Sequence, residues 1–330
     1  MPLPLSLLRG LSGDSAVDAW TGIFSHAWDI CSQPFPGAGI ASEVTRRDRE
    51  IAALDLFLAA SGWDLWQSFE SSTEHTADTL SAWWQGRPSG RAVLILDGLS
   101  LRELPWLLQG AAGRGFRVIS AKATAAELPA ETTPFAKALG FSQRGALENN
   151  AAGASHRLPG ARTEAVGLPW SDCAQMIQSE PDWVFWHHWP DNRVHDLSVA
   201  GQGLNVLVPE AAAQLASDDF WKFVDRLSTG RQLVITSDHG YAASGLFSDT
   251  HDDDQAQHLK AVFKSGRSTA ATNDESPWVP PVDLTISSRH GRYRYALGRR
   301  KWKSQGGYPT LTHGGLSVLE VASPFIEMGR

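Results

Sequence analysis

Cysteine is nearly absent from this 330-residue chain: Cys31 and Cys173 are the two, far apart and outside any Cys-x-x-Cys pattern. A disulfide framework and a thiolate zinc knuckle are thereby excluded. Positive charge is also in short supply. A formal net charge of −7 argues against a basic surface spread over the whole molecule, though not against a local patch. No apolar run approaches membrane-spanning length. The first ten residues lack a basic leader and a clean cleavage site, so the expectation is a cytoplasmic protein with no membrane partner. No repeat spacing connects the 14 tryptophans, which are expected as core and groove walls. With 42% hydrophobic residues, the chain should be globular, with room for one large α/β domain and a smaller addition.

The most informative stretch is Gln232 to Tyr241, QLVITSDHGY. Leu233 to Thr236 reads as a short strand buried on both faces, and it ends in Ser237-Asp238-His239-Gly240. Ligands of open α/β sheets sit outside the carboxyl ends of strands. Asp and His side by side there offer an oxygen and an imidazole nitrogen to one place, which is half of a divalent-metal site. The plain alternative is a turn acid beside a surface His. Two other strands end in acids as well. Ala92 to Leu96 leads to Asp97, and Trp183 to Trp186 leads to Asp191, with His195 four positions on. His313 precedes Gly314-Gly315, where a bare backbone permits close approach to a ligand. Parallel strands would deliver the three acids to one sheet edge, where they repel unless a cation lies between them. An Asp-plus-His set suits zinc or manganese better than calcium or magnesium.

The flanking chain organises around these strands. Residues from about 14 to 86 carry helical periodicity, and Gln85 to Gly90 reads as a linker. Residues 1–90 are therefore expected as a helical addition, a cap or partner-binding piece, and residues 91–330 as the α/β domain. Ser100 and Glu103 form a capping-box pattern for a helix from Leu101 to Gln109. Gly110, Gly113 and Gly115 resemble a dinucleotide loop only superficially, because they follow a helix and precede the strand Phe116 to Ser120. Thr250 to Asp254 reads as a solvated acidic loop. Arg289 to Lys303 holds seven basic residues and no acid, interleaved with Tyr293, Tyr295 and Trp302. It fits either a solvated hairpin or a groove wall in which Arg292, Arg294, Arg299 and Arg300 contact nucleic acid.

The ordered set resembles the alkaline phosphatase superfamily in its nucleotide pyrophosphatase/phosphodiesterase-like arrangement: Asp97, then Thr132 at 132 − 97 = 35 positions, Asp191 with His195, Asp238-His239, and His313. Pro129 and Pro134 around Thr132 match that family's Pro-x-x-Thr-x-Pro pattern, which prefers Thr132 to its neighbour Thr133. Within the superfamily, Leu96-Asp-Gly-Leu99, Ser237-Asp-His-Gly-Tyr241 and His313-Gly-Gly-Leu-Ser317 followed by Ser323-Pro-Phe-Ile326 resemble the PglZ domain of bacterial phage-defence systems (BREX, phage growth limitation). The resemblance covers residues 91 to 330. It implies an alkaline-phosphatase-like doubly wound sheet with helices on both faces, plus the helical N-terminal addition. It also implies two divalent metal ions, zinc or manganese, one on Asp97, Thr132, Asp238 and His239 and the other on Asp191, His195 and His313. Such a pair clamps the attacking and leaving oxygens of a phosphoryl displacement, and coordination makes Thr132 a usable nucleophile. Asn149 or Asn150 would donate to a phosphate oxygen. The implied activity is phosphoric ester hydrolysis on nucleotides or nucleic acid, in company with defence proteins such as a methyltransferase or an ATPase. A metal-stabilised scaffold or sensor with little turnover is the other reading. Sulfatase chemistry is disfavoured, since Thr132 to Ala136 offers no Cys/Ser-x-Pro-x-Arg motif.

Overall fold

Five helices precede the first strand: α1 (Leu5–Leu11), α2 (Ala16–Cys31), α3 (Ile40–Ser61), α4 (Trp63–Ser72) and α5 (Thr76–Gln85). The computed structural model describes residues 3–13, 15–196, 203–243, 248–272, 276–304 and 310–330. The α/β part runs β1 (Arg91–Leu96), α6 (Leu104–Gly113), β2 (Arg117–Ala125), α7 (Thr132–Ala138), β3 (Arg162–Val166), α8 (Trp170–Met176), β4 (Asp182–His187) and α9 (Asp191–Asp196). It continues with α10 (Leu204–Ala216), α11 (Asp218–Ser228) and β5 (Gln232–Thr236). After the short strands β6 (Ala242–Ala243) and β7 (Ser248–Asp249) come α12 (Asp253–Phe263), β8 (Ser268–Ala270), β9 (Asp283–Ser288) and β10 (Gly291–Ala296). The chain closes with β11 (Arg300–Lys301), β12 (Leu311–Thr312), α13 (Val318–Val321) and β13 (Ala322–Gly329). Among the described residues no helix is long and apolar enough to cross a membrane.

Six strands form the central sheet in the order β2-β13-β5-β1-β4-β3. β1 is parallel to both β4 and β5, and β3 is parallel to β4. β13 runs antiparallel to β5 and β2, so the sheet is mixed. Alternate strand residues enter two different cores. Leu94, Leu96, Phe185, Leu233 and Ile235 belong to one, and Val93, Ile95, Val184, Trp186 and Val234 to the other. Helices therefore cover both faces, as side-chain alternation along an interior strand requires.

Several expected elements change shape. The helix expected from Leu101 to Gln109 begins as a 3-10 turn, Leu101–Glu103, with the Ser100/Glu103 capping box in place, and continues as α6. The strand expected from Phe116 to Ser120 extends to Ala125 because β13 pairs along its length. Asp252 caps α12 by accepting the N–H groups of Asp254 and Gln255, so the expected acidic loop is largely a helix start.

Residues 5–85 build no separate core. Trp20, Ile23, Ile51, Leu54, Trp66 and Phe69 share one cluster with Leu94 and Leu96 of β1. An ionic lattice ties α3 to the rest. Asp48 takes Arg102 and Arg299, Asp55 takes Arg299, and Val318 N–H donates to Asp55 at 2.7 Å. The basic segment is partly internal, with Arg294 and Arg299 buried and Arg289, Arg292 and Lys303 exposed. β9 and β10 form a hairpin, extended by β8, and its cations are matched to acids: Arg289 to Glu127 and Asp78, and Arg294 to Asp283.

Candidate active site

Because β1, β4 and β5 are parallel neighbours, their carboxyl ends open on one edge. Asp97 follows β1 directly, Asp191 begins α9 just past β4, and Asp238 lies two residues past β5. Two glycines let these ends converge. Gly98 has φ +69, and a Cβ on it would stand 3.1 Å from the Asp191 Cβ. A Cβ on Gly240 would stand 2.2 Å from the Leu319 carbonyl oxygen, so no larger residue fits beside Asp238-His239.

Asp97 is fully buried and is the hub. Its Oδ1 accepts the Thr132 hydroxyl at 3.2 Å and lies 3.8 Å from His239 Nε2. Its Oδ2 accepts from Trp186 Nε1 at 3.1 Å and pairs with the Arg144 guanidinium. Asp238 Oδ1 accepts the backbone N–H groups of Gly98 (2.9 Å) and His239 (3.0 Å), and Oδ2 lies 3.5 Å from His239 Nε2. His239 Nδ1 is spent on the Gly240 carbonyl at 2.9 Å. On the other side, Asp191 Oδ2 lies 3.4 Å from His195 Nε2, and its Oδ1 lies 3.5 Å from His313 Nε2. The rings of His313 and His239 stack with centroids 4.3 Å apart. His313 Nε2 and His195 Nε2 are 3.3 Å apart. The sequence-derived set thus meets at one place. Thr132 carries the hydroxyl that faces Asp97, and Thr133 is exposed beside it.

Charge is crowded here. Burial, with Asp238 and Asp191 close by, holds the Asp97 carboxyl well above the usual carboxylate range. Burial opposes a charge on His239, but Asp238, Asp191 and Asp97 outweigh it and lift its pKa to about 9. Burial and the charge of His239 press His313 down to about 3. Burial opposes ionisation of Asp191, yet the hydrogen bond from His195 and the neighbouring imidazoles bring its pKa below the ordinary value. That same bond raises His195.

Three buried polar atoms in this cluster have no hydrogen-bond partner among the described residues: Asp191 Oδ1, Asp238 Oδ2 and His239 Nε2. Each such atom costs free energy, on the order of 1–3 kcal/mol. All three are good ligand atoms aimed into one space. Two groups have ligand atoms within 4.8 Å of one another, Asp97/Asp238/His239 and Asp191/His239/His313. The mixed carboxylate and imidazole donors suit zinc or manganese. Residues and chemistry therefore fit a divalent-metal centre, with His239 shared between two sub-sites and His195 at the rim of the second.

Other expected contacts lie elsewhere. Asn149 and Asn150 adopt left-handed φ of 51 and 59 at the end of a 3-10 segment, Arg144–Asn150. The Asn150 side-chain Oδ1 accepts the Thr163 backbone N–H and the Asn149 backbone N–H donates to the Glu164 carboxylate, so the pair anchors this segment to β3. Arg294 and Arg299 are buried in ion pairs and cannot touch nucleic acid. Arg300 is half-buried and donates to the Leu297 carbonyl, while Arg292 is exposed. His187 points away from the cluster, with Nε2 on the Leu168 carbonyl at 2.9 Å, and burial pushes its pKa down to about 4. Asp196 pairs with Arg193. Sequence reasoning missed Arg144 and Trp186, the two donors on Asp97 Oδ2. A lone Arg in a loop and a Trp inside a strand give no signal of their own.

No family model matches the chain, and no curated protein matches it. Among solved structures it is similar to murine ectonucleotide pyrophosphatase/phosphodiesterase 5, at 12% identity and TM-score 0.40 over 73% of this chain and 88% of that one. An inactive form of the murine protein in complex with AMP gives TM-score 0.39 at 12% identity over the same shares. The human protein gives 0.41 at 11% identity, again over 73% and 88%.

Proposed function

We propose that this protein is a metal-dependent phosphoric ester hydrolase with Thr132 as its nucleophile. The observation that carries the reading is the contact of the Thr132 hydroxyl with Asp97, a carboxylate set among Asp238, His239 and the unpartnered atoms described above. Asp97, Asp238 and His239 would hold one divalent ion. Asp191, His313 and His195 would hold a second, with His239 between them. Bound there, zinc or manganese supplies Lewis acidity and makes a hydroxyl acidic enough to act as a nucleophile.

The chain's own residues do the rest. Asp97 Oδ1 takes the Thr132 hydroxyl proton in a hydrogen bond and so orients the Oγ1 lone pairs. Attack forms an Oγ1–P bond and breaks the bond from phosphorus to the leaving oxygen; the proton lost from Oγ1 ends on the leaving oxygen, and Thr132 is left phosphorylated. Water then attacks phosphorus, the Oγ1–P bond breaks, and one water proton restores the Thr132 hydroxyl. Arg144 sits on the other oxygen of the same Asp97 carboxylate, with its side chain 29% exposed. Its remaining N–H groups are placed to receive a non-bridging phosphate oxygen, the role first expected of Asn149 or Asn150. Preoriented donors of this kind stabilise charge that develops in a transition state.

Phosphodiesters of nucleotides or nucleic acid are the substrate class. The setting is bacterial anti-phage defence in the cytoplasm, beside other defence proteins, and it rests on the PglZ-like motifs around Asp97, Asp238 and His313. Hydrolysis of bis-nitrophenyl phosphate tests the activity. Wild type should turn it over, while Thr132→Ala and Asp238→Ala should not. Equal background rates in all three would sink the enzyme reading in favour of a scaffold.

A further inference from the structure

The central sheet ends in β2 on one side and β3 on the other. The segment Arg144–Asn150 covers β3: Thr163 N–H donates to Asn150 Oδ1 at 3.0 Å, and the Thr163 hydroxyl donates to the Leu147 carbonyl. The β2 edge is covered only at its carboxyl end. There Ala125 N–H donates to the Glu74 carbonyl at 2.9 Å, and His75 forms a parallel bridge to Ala125. Pro324 has no N–H and faces Ala123 across the ladder, so the Ala123 N–H and carbonyl point away from β13. Alternation along the strand gives Ala121 the same orientation. A bulge between Glu327 and Met328 ends the regular ladder below Ser120. Ala121 and Ala123 thus turn two donors and two acceptors outward, and no backbone group among the described residues takes them. An open edge of this kind is a template for another strand.

A groove lies along the same edge. Its cavity of about 210 Å³ is lined by Ala121 and Ala123, by Trp20, Phe24 and Trp28 of α2, and by Thr73. The side chains of a strand paired with Ala121 and Ala123 lie on the face of the two methyl groups, so every second one enters this aromatic groove. Val118 and Ile119, 36% and 41% exposed, add apolar surface next to it.

Charge sets the direction of an added strand. Asp29 and Glu74 line the groove, and Glu74 also holds Lys122 at 2.6 Å. Toward the start of β2, Arg117 is exposed and no acid pairs with it among the described residues. Arg330 donates to the Arg114 carbonyl beside it, and each of these two arginines meets one exposed aspartate. A strand antiparallel to β2 carries its C-terminal end toward Arg117, about 20 Å from Ala123, the reach of a short peptide. β2 itself carries Arg117 and Lys122 and no acid, so a second copy of this chain would set cation against cation.

We propose that the β2 edge docks an extended segment of a partner protein, apolar at alternate positions and acidic toward its C-terminal end. The segment adds an antiparallel strand through Ala121 and Ala123, sets its apolar side chains in the groove of α2 and turns its carboxylates to Arg117. The proposal does not depend on Thr132 as a nucleophile.

The test uses the full chain and a fluorescein-labelled heptapeptide, Lys-Leu-Thr-Val-Thr-Asp-Asp, read by fluorescence anisotropy. Its charge-reversed counterpart, Asp-Leu-Thr-Val-Thr-Lys-Lys, is the control for direction. The first peptide should saturate and bind about tenfold tighter than the second. Ala123→Pro removes an outward N–H that the ladder to β13 does not use, and should weaken binding about tenfold. Arg117→Glu, an exposed change, should abolish or reverse the preference between the peptides. Absence of saturation up to about 1 mM, equal affinity for the two peptides, or parent-like affinity in Ala123→Pro overturns the docking site. The chain alone should sediment as a monomer. A dimer that Ala123→Pro dissociates would give the edge to a second copy and overturn the partner segment.

Discussion

Thr132 and Asp97, 35 residues apart in the chain, meet at 3.2 Å through Oγ1 and Oδ1. The contact depends on the hydroxyl and not on the threonine methyl. Thr132→Ser should therefore keep measurable hydrolysis of bis-nitrophenyl phosphate, while Thr132→Ala should lose it by about a thousandfold or more. Equal loss in both variants would mean that the hydroxyl is not the reacting group.

Arg144 shares that carboxylate with Thr132 and is the predicted phosphate donor. Arg144→Ala should lower kcat by roughly 10²–10³-fold, the scale for losing one preoriented donor. Arg144→Lys should recover only part, because an ammonium cannot reproduce the planar fork of a guanidinium. Inhibition by inorganic phosphate should weaken in parallel. A variant whose kcat falls while phosphate inhibition is unchanged would make Arg144 a positioning residue for Asp97 only.

Metal should act on stability through the same cluster. In Asp238→Asn the amide oxygen can still accept from Gly98 and His239, but the carboxylate that most supports a charge on His239 disappears. The metal-free variant should melt at or below the temperature of the metal-free wild type. Zinc should raise the melting temperature of wild type, by about 2.7 kcal/mol of stabilisation at a hundredfold excess over Kd, and should do little to the variant. Calorimetry and elemental analysis check both halves. A wild type indifferent to zinc, manganese and chelator would remove the metal centre.

The Asp48–Arg102–Arg299–Asp55 lattice is buried, so one truncation strands its partners. Arg299→Ala should cost about 3–5 kcal/mol in urea unfolding, because Asp48 and Asp55 are left behind as buried charges. It should leave the salt dependence of oligonucleotide binding untouched. A surface role predicts the reverse pattern.

Burial pushes the Glu103 carboxyl up to about 7, against the pull of the Tyr241 hydroxyl and Arg102. The folded state then holds this proton more tightly than the unfolded chain, whose value is near 4.5. Stability from this group is full below about pH 4.5 and is lost as pH rises through about 7. Glu103→Gln should flatten that part of the pH dependence of the urea midpoint. An unaltered slope would assign it to other groups.

What the sequence determined by itself was local. Apolar runs broken by an acid, as at Leu96-Asp97 and Thr236-Ser237-Asp238, report both a buried strand and its polar carboxyl end, because burial and alternation are written into neighbouring residues. Parallel pairing then follows, and with it the meeting of Asp97, Asp191, Asp238 and the histidines. Tertiary structure alone decided the fate of the long-range charges. Arg299 finds Asp48 across 251 positions, and Arg289 finds Glu127 across 162, so three of the segment's seven cations, Arg289, Arg294 and Arg299, are paired with acids. It also decided that Arg144, from a loop 47 positions on, pairs with Asp97. The physical reason is the same throughout. Periodicity is a property of a few adjacent residues, whereas a charge is defined by whatever the fold places against it.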